Sequence, residues 1–146
     1  MFSVTGRIKM EFRVKANFPN CVGALDSKHV QVTKPQHSGS MFFNYKHFFS
    51  IVLMAMCDSS YLFTFVDIGA YGKESDSAVF KNSGLYDAIK TNKLGSPQAT
   101  PISELDPLLY VIVADEAFAL SDHVIRSYGK SSLTPRSRIC NYRHSH

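Results

Sequence analysis

The sequence lacks both a long apolar run and a terminal segment of the secretory type. Its longest apolar stretch, from Phe48 to Cys57, is interrupted by Ser50 and is too short to cross a bilayer. Residues Met1 to Glu11 contain neither an apolar core nor a signal-cleavage pattern. We therefore expect no secretory signal and no association with a membrane.

Cysteine is also scarce. The chain has three cysteines, which are far apart and without C-x-x-C spacing: Cys21, Cys57 and Cys140. An odd number of widely separated cysteines predicts free thiols in a reducing compartment and argues against a structural zinc site. Internal repeats and low-complexity tracts are absent as well, which excludes repeat architectures and disordered chains.

The chain does have the composition of a folded domain. It has 146 residues, of which 45% are hydrophobic and 12% aromatic, enough for one domain with a core of its own. The net charge of +4 is modest, but the stretch from Arg126 to His146 contains five Lys and Arg residues and no acidic residue. Such a stretch suits a phosphate backbone. A solubilising tail is an equally acceptable interpretation of the charge alone.

Two apolar stretches far apart in the sequence each end on an aspartate. Cys21 to Leu25 runs into Asp26, and Leu108 to Ala114 runs into Asp115. An unpaired carboxylate is costly to bury, and a single such Asp most simply begins a turn. Two strands that deliver carboxylates to one sheet edge would instead build a metal-dependent phosphoryl-transfer site.

The intervening pattern predicts a mixed sheet covered by helices, an α/β fold in which the fourth strand lies beside the first. A hairpin is indicated by two apolar, β-rich runs around the Asp58-Ser59-Ser60 turn. Ser75 has the chemistry of a helix N-cap. The predicted elements are strands at Cys21–Asp26 (with a continuation at His29–Val32), Phe48–Cys57, Tyr61–Ile68 and Leu108–Ala114, and helices at Asp76–Phe80, Leu85–Lys93 and Leu120–Tyr128.

Several segments, in order, resemble the nuclease domain of PIF/Harbinger transposases and the Harbinger-derived nucleases of animals. They span roughly Phe18 to His146, which makes the set more specific than any single motif. The segments are Phe18–Val30, Ser38-Gly39-Ser40, Asn44-Tyr45-Lys46, Phe49–Ala55, Val66–Gly69 with Gly72, Ser75-Asp76, Ala114–Phe118 and Asn141-Tyr142-Arg143.

The resemblance implies an RNase H-like fold and a DDE-type active site that uses a divalent cation, Mg²⁺ or Mn²⁺. Asp26 matches the first catalytic aspartate of the family, Asp115 matches the aspartate after the fourth strand, and Asp76 matches a further proposed metal ligand. The glutamate that closes the family's site falls beyond His146. Ser27 replaces the glycine that the family usually has, which would crowd the site mildly.

Other polar residues are weaker candidates. Asp67, at a hairpin edge, and Glu116, on the opposite face of a continuing strand, are not expected to bind metal. Packing or solvent contact suits His29 better than a ligand role. Phosphate contacts are expected from five basic residues, with solvated side chains as the alternative for the lysines: Lys28, Lys46, Arg136, Arg138 and Arg143.

The composition predicts a lead-in at residues 1–17, and the resemblance implies a DDE endonuclease domain of RNase H-like fold at residues 18–146, expected to be incomplete at its C-terminus. The predicted function is metal-dependent hydrolysis of DNA in the nucleus, with the cytoplasm as a second location. A separate protein that supplies DNA binding is a further expected partner. The alternative is a domesticated or decayed transposase fragment that binds nucleic acid or protein without cutting.

Overall fold

Five strands form one mixed sheet in the computed structural model, which describes residues 20–91, 93 and 110–126. The strand order is β3-β2-β1-β4-β5. Two short helices, α1 and α2, follow β3 in the chain. The bounds are β1 Cys21–Gln31, β2 Ser50–Cys57, β3 Phe63–Tyr71, α1 Asp76–Lys81, α2 Gly84–Lys90, β4 Val111–Ala114 and β5 Val124–Arg126.

The predicted hairpin is confirmed. β2 pairs antiparallel with β3 from Ile51↔Tyr71 to Cys57↔Phe63, with two register shifts. The Asp58 side chain closes the connecting turn, because its Oδ1 accepts hydrogen bonds from the backbone N–H groups of Ser60 and Leu62. Asp favours turns for this reason.

β1 is longer than the sequence predicts. It continues through Asp26 to Gln31, because β2 pairs antiparallel with it from Ala24↔Cys57 to Gln31↔Ser50. β4 pairs with only the first part of β1, from Cys21↔Val111 to Leu25↔Ala114, and this pairing is parallel. The expectation that the fourth strand lies beside the first is therefore confirmed.

Both short helices have serine N-caps. The Ser75 side chain accepts a hydrogen bond from the Ala78 N–H, and Ser83 does the same for Tyr86. Capping of this kind satisfies backbone donors that a helix start would otherwise leave unpaired. The helices predicted after Ser75 and around Leu85 are thus confirmed, although the second ends at Lys90.

One face of the sheet, the covered face, forms the core with the helices. Alternation along β1 and β2 places Leu25, Val52, Met54 and Met56 on it, and all four are buried. The helices complete this cluster with four buried side chains: Val79, Phe80, Leu85 and Ile89.

The other face, here called the open face, carries more exposed side chains. Register places Leu53 of β2 opposite Ile68 of β3, and Ala55 opposite both Val66 and Asp26. Val66 is 46% exposed and Ile68 58% exposed. The sheet is therefore asymmetric in its packing over the described part of the chain.

The helix predicted from Leu120 to Tyr128 is wrong over the residues that the structure describes. Val124 to Arg126 instead form β5, which pairs parallel with β4 from Ile112↔Val124 to Ala114↔Arg126. β-branched side chains are favoured in sheets, and Val124 is almost fully buried in β5. Pairing with β4 therefore overrides the local helical spacing.

Within residues 20–91, 93 and 110–126, no helix is long and apolar enough to cross a membrane. The predicted lead-in at residues 1–17 and the basic stretch after Arg126 lie outside the described residues. So do Leu108 and Leu109, the first two residues of the predicted fourth strand. The boundary at residue 18 stays a prediction.

Candidate active site

Asp26 and Asp115 occupy corresponding positions on neighbouring strands. Leu25 and Ala114 are register partners in the parallel β1–β4 pair, and each aspartate is the next residue along its chain. Neighbouring strands lie about 4.8 Å apart, and successive side chains alternate between faces. Since Leu25 is buried in the covered face, this alternation puts Asp26 on the open face, and Asp115 is exposed in the turn directly after β4.

Each carboxylate is fixed by one local hydrogen bond. Oδ1 of Asp26 accepts from the Ser27 N–H at 2.7 Å, and Oδ1 of Asp115 accepts from the Ala117 N–H at 2.9 Å. Both side chains are exposed. A carboxylate has two oxygens and about four acceptor positions, so one hydrogen bond orients the group while leaving capacity for a ligand.

The turn that follows Asp115 is held from three directions. The Ser77 hydroxyl of α1 donates to the Ala117 carbonyl at 2.8 Å, and Phe118 is fully buried with its ring edge-on to that of Phe80. Arg126 of β5 donates through Nη1 to the carbonyls of Glu116 and Phe118 at 3.0 and 3.3 Å.

Sequence reasoning missed these positioning contacts. Ser77 and Arg126 lie 40 and 10 residues from the groups to which they donate hydrogen bonds. Hydrogen bonds between such distant residues cannot be predicted from a local sequence pattern. The apolar Phe118, two residues after Glu116, was the one local sign that the turn packs on the core.

Asp76 lies in a different layer of the molecule. It is half-buried in the first turn of α1, and that helix packs Val79 and Phe80 against the covered face. The Ser77 contact brings this helix start near the Asp115 turn. Among residues 20–91, 93 and 110–126, however, no three His, Cys, Asp or Glu side chains are grouped so as to hold a metal ion.

The donor chemistry of the Asp26–Asp115 pair fits a hard divalent cation. Mg²⁺ prefers carboxylate oxygens and keeps several waters, so one or two carboxylates together with substrate phosphate complete its shell. Both aspartates are exposed, so water and a phosphate can reach them. The predicted ligand roles of Asp26, Asp76 and Asp115 remain predictions.

The predicted phosphate-binding lysines occupy two places. Lys28 is exposed two positions beyond Asp26 on β1, and alternation places it on the same open face. Lys46 is exposed in the loop between β1 and β2, with its Nζ 5.5 Å from the centre of the Tyr45 ring. Three predicted contacts lie outside the described residues: Arg136, Arg138 and Arg143.

The weaker candidates have structural surroundings of their own. Asp67 of β3 is half-buried opposite Met54 on the covered face. The Glu116 side chain is exposed in the turn after β4. Nδ1 of His29 lies 2.8 Å from the buried Ser50 hydroxyl, which suits the packing role expected for this histidine.

Burial raises the pKa values of two cysteine thiols close to the candidate site. Burial raises the pKa of the Cys57 thiol, and the charges of Asp58 and Asp26 raise it further. Burial also raises the pKa of Cys21, to about 11, although backbone hydrogen bonds with Gly23 and Val113 oppose the shift.

Comparisons with known proteins identify the family of this chain. The family described as DDE superfamily endonuclease matches residues 25–146, which include both aspartates. Protein ALP1-like of Arabidopsis thaliana is 33% identical over 141 residues, which cover 94% of this chain and 34% of that protein. The chain thus spans about a third of the length of this relative. No solved structure matches the chain. The family match covers most of the chain, and the chain therefore belongs to the DDE superfamily endonucleases.

Proposed function

We propose that this chain is a divalent-metal-dependent nuclease domain of Harbinger transposase origin that hydrolyses DNA phosphodiester bonds. Membership of the DDE superfamily endonucleases supports the nuclease part. The strand order β3-β2-β1-β4-β5, with β1 antiparallel to β2 and parallel to β4, supports an RNase H-like fold. Nuclear location and a separate DNA-binding protein partner belong to the same proposal.

The observation that carries the proposal is the Leu25↔Ala114 register, because each of these partners is followed directly by an aspartate, Asp26 and Asp115. In the proposed reaction these two carboxylates would hold the cation, and Asp76 would serve as a third ligand. A bound cation would activate water, stabilise the charge on the phosphate and neutralise the leaving oxygen. Lys28, on the same face as Asp26, would orient the phosphate as a point charge.

Metal binding can be tested by thermal melting of the full chain with and without Mn²⁺. Two adjacent carboxylates repel each other, and a cation that binds only the folded state stabilises it by mass action. At ten times the dissociation constant this amounts to about 1.4 kcal/mol. For a domain of this size, we expect the melting temperature to rise by roughly 4 °C.

The matched variants are Asp26→Asn, Asp115→Asn and Asp122→Asn. Asp122 is an exposed aspartate just before β5, beside the N-terminal end of β4 and thus at the far end of that strand from Asp115. We expect the first two substitutions to abolish the Mn²⁺ shift and Asp122→Asn to preserve it. An equal shift in all three variants would mean that the cation binds elsewhere, and would overturn the proposed site.

A second candidate function is nucleic-acid or protein binding without cleavage. It is favoured by the position of Asp76, whose helix covers the face opposite Asp26 and Asp115. Nicking of supercoiled plasmid in Mn²⁺ separates the two candidates. Nicking that Asp26→Asn removes supports the nuclease. DNA binding without nicking, unaffected by Asp26→Asn, supports the binding module.

A further inference from the structure

The loop between β1 and β2 ends in a tight turn that presents three side chains. Phe43 and Phe49 form an antiparallel bridge, the Asn44 N–H donates to the Phe48 carbonyl at 2.9 Å, and the His47 N–H donates to the Asn44 carbonyl at 3.1 Å. Tyr45, Lys46 and His47 make up the tip of this turn, and all three are exposed.

A buried asparagine fixes the tip to the sheet. Asn44 is 3% exposed, and its Oδ1 accepts from the Lys46 and Phe48 N–H groups. Its Nδ2 donates to the hydroxyl of Ser50, which is fully buried at the start of β2 and also contacts His29 of β1. The backbone of the tip is thus held in one conformation, which lowers the entropy cost of binding a ligand there.

The tip combines an exposed aromatic ring with positive charge. Tyr45 is 73% exposed, with its ring edge-on to His29 at 5.5 Å and Lys46 Nζ at 5.5 Å from its centre. No acidic residue occurs between Asp26 and Asp58, whereas three lysines and three histidines do. Exposed aromatic rings for base stacking, beside cations for the phosphates, are the means by which proteins bind single-stranded nucleic acid.

We infer that the Tyr45–Lys46–His47 tip binds an unpaired nucleotide of DNA, with Tyr45 stacking on the base and Lys46 contacting the adjacent phosphate. This inference rests on the proposed function, whose substrate it specifies as DNA with an unpaired segment beside the cleavage position. Tyr45 contacts His29, and His29 lies three positions along β1 from Asp26, a strand rise of roughly 10 Å. His29 and Asp26 lie on opposite faces of β1, so a DNA strand that reached both the tip and Asp26 would pass around the loop end of the β1–β2 pair.

A second exposed tyrosine provides the matched control. Tyr61 is 88% exposed in the turn between β2 and β3, but the neighbouring charged group is the carboxylate of Asp58. A carboxylate repels phosphate, so this turn has the ring without the cation. Both tyrosines expose an aromatic surface, and only Tyr45 has the charge that DNA requires.

The test measures DNA binding by fluorescence anisotropy with the full chain in EDTA, so that neither metal nor cleavage enters the result. The ligands are a labelled single-stranded oligonucleotide and the duplex of the same sequence. The proteins are wild type, Tyr45→Ala, Tyr45→Phe, Lys46→Ala and Tyr61→Ala, each checked for unchanged secondary structure by circular dichroism.

We expect Tyr45→Ala to weaken single-strand binding about tenfold, and Tyr45→Phe and Tyr61→Ala to stay within about twofold of wild type. Lys46→Ala should lower the slope of log affinity against log salt by about 0.7, the value for one phosphate contact on a single strand. Duplex binding should change less than twofold in Tyr45→Ala.

Two results would overturn the inference. Equal single-strand affinities of Tyr45→Ala and Tyr61→Ala, with wild type binding DNA, would show that the tip does not stack on a base while leaving the proposed function intact. If wild type binds neither oligonucleotide, the tip does not bind an unpaired nucleotide and the inference fails. The proposed function is judged separately, by the Mn²⁺ melting shift and its loss in Asp26→Asn.

Discussion

The two faces of the sheet differ in what holds their residues in place. On the covered face, Met54 and Val52 are 0 and 1% exposed beneath the helices. On the open face, Val66 and Ile68 of β3 remain about half exposed, and Asp26 lies among such residues on β1. The same strands supply both faces, because side chains alternate along each strand.

The covered face of the sheet suits packing, whereas the open face suits ligand binding. Close packing on the covered face leaves little room for a change of volume, since protein interiors are as dense as organic crystals. A charged group there would lose its hydration. The open face keeps its side chains accessible to water, so carboxylates can lie side by side and still meet a cation. Stability should therefore depend mainly on the covered face, and ligand binding on the open face.

The largest expected effect compares Met54→Ala with Ile68→Ala. Removing the fully buried Met54 side chain leaves a cavity and should lower the free energy of unfolding by about 2–5 kcal/mol. Ile68 is 58% exposed, so its truncation should cost less than about 1 kcal/mol. Urea unfolding followed by circular dichroism measures both. Equal losses would show that the open face is covered by packing as well, and would break the comparison.

The next effect concerns pH and the buried thiol of Cys21. Burial raises its pKa to about 11 in the folded chain, whereas an unfolded cysteine titrates near about 8.5. The unfolded state therefore loses its proton first as the pH rises, and folding stability falls across that interval. The loss of stability from this group begins near pH 8, as the unfolded thiol ionises, and reaches its full value of about 3 kcal/mol above pH 11.

Cys21→Ala should remove this part of the alkaline destabilisation. The measurement is the free energy of unfolding of wild type and Cys21→Ala between pH 8 and 10.5, compared as a difference so that other titrating groups cancel. Cys57→Ala is the comparison variant: burial and the charge of Asp58 also raise the pKa of this half-buried thiol, so the substitution should remove a smaller part of the alkaline destabilisation. An identical pH dependence in wild type and Cys21→Ala would contradict the assignment.

The smallest expected effect is at the hydrogen bond that joins helix α1 to the turn after β4. Ser77→Ala removes the hydroxyl of α1 that donates to the Ala117 carbonyl beside Asp115, and should cost about 1 kcal/mol. Hydrogen exchange should accelerate at the Ala117 and Phe118 amides more than in β2. Ser77→Thr keeps the hydroxyl and is the control. Uniform acceleration over the sheet would mean that Ser77 supports the whole fold rather than this turn.

Much of the local structure was predictable because its causes are local. The Asp58 turn and the Ser75 cap depend on side chains that bond to backbone groups a few residues away. The end of β4 at Asp115 follows from an apolar run that meets a charge. The helical spacing after Leu120 predicted a helix, but pairing with β4 makes Val124 to Arg126 a strand.

By itself, the sequence determined the hairpin, the capped helix starts and the two aspartates at the ends of apolar runs. It also fixed the acid-free segment between Asp26 and Asp58. Only the tertiary structure decided that Leu25 pairs with Ala114, that Asp76 belongs to the helical layer, and that a buried Asn44 anchors the exposed Tyr45. The strand pairing and the helical layer depend on contacts between distant segments, whose register is set by burying one face of the sheet, and no short stretch of sequence contains that information. The hydrogen bonds of Asn44 are local in sequence, but only the tertiary structure buries its side chain.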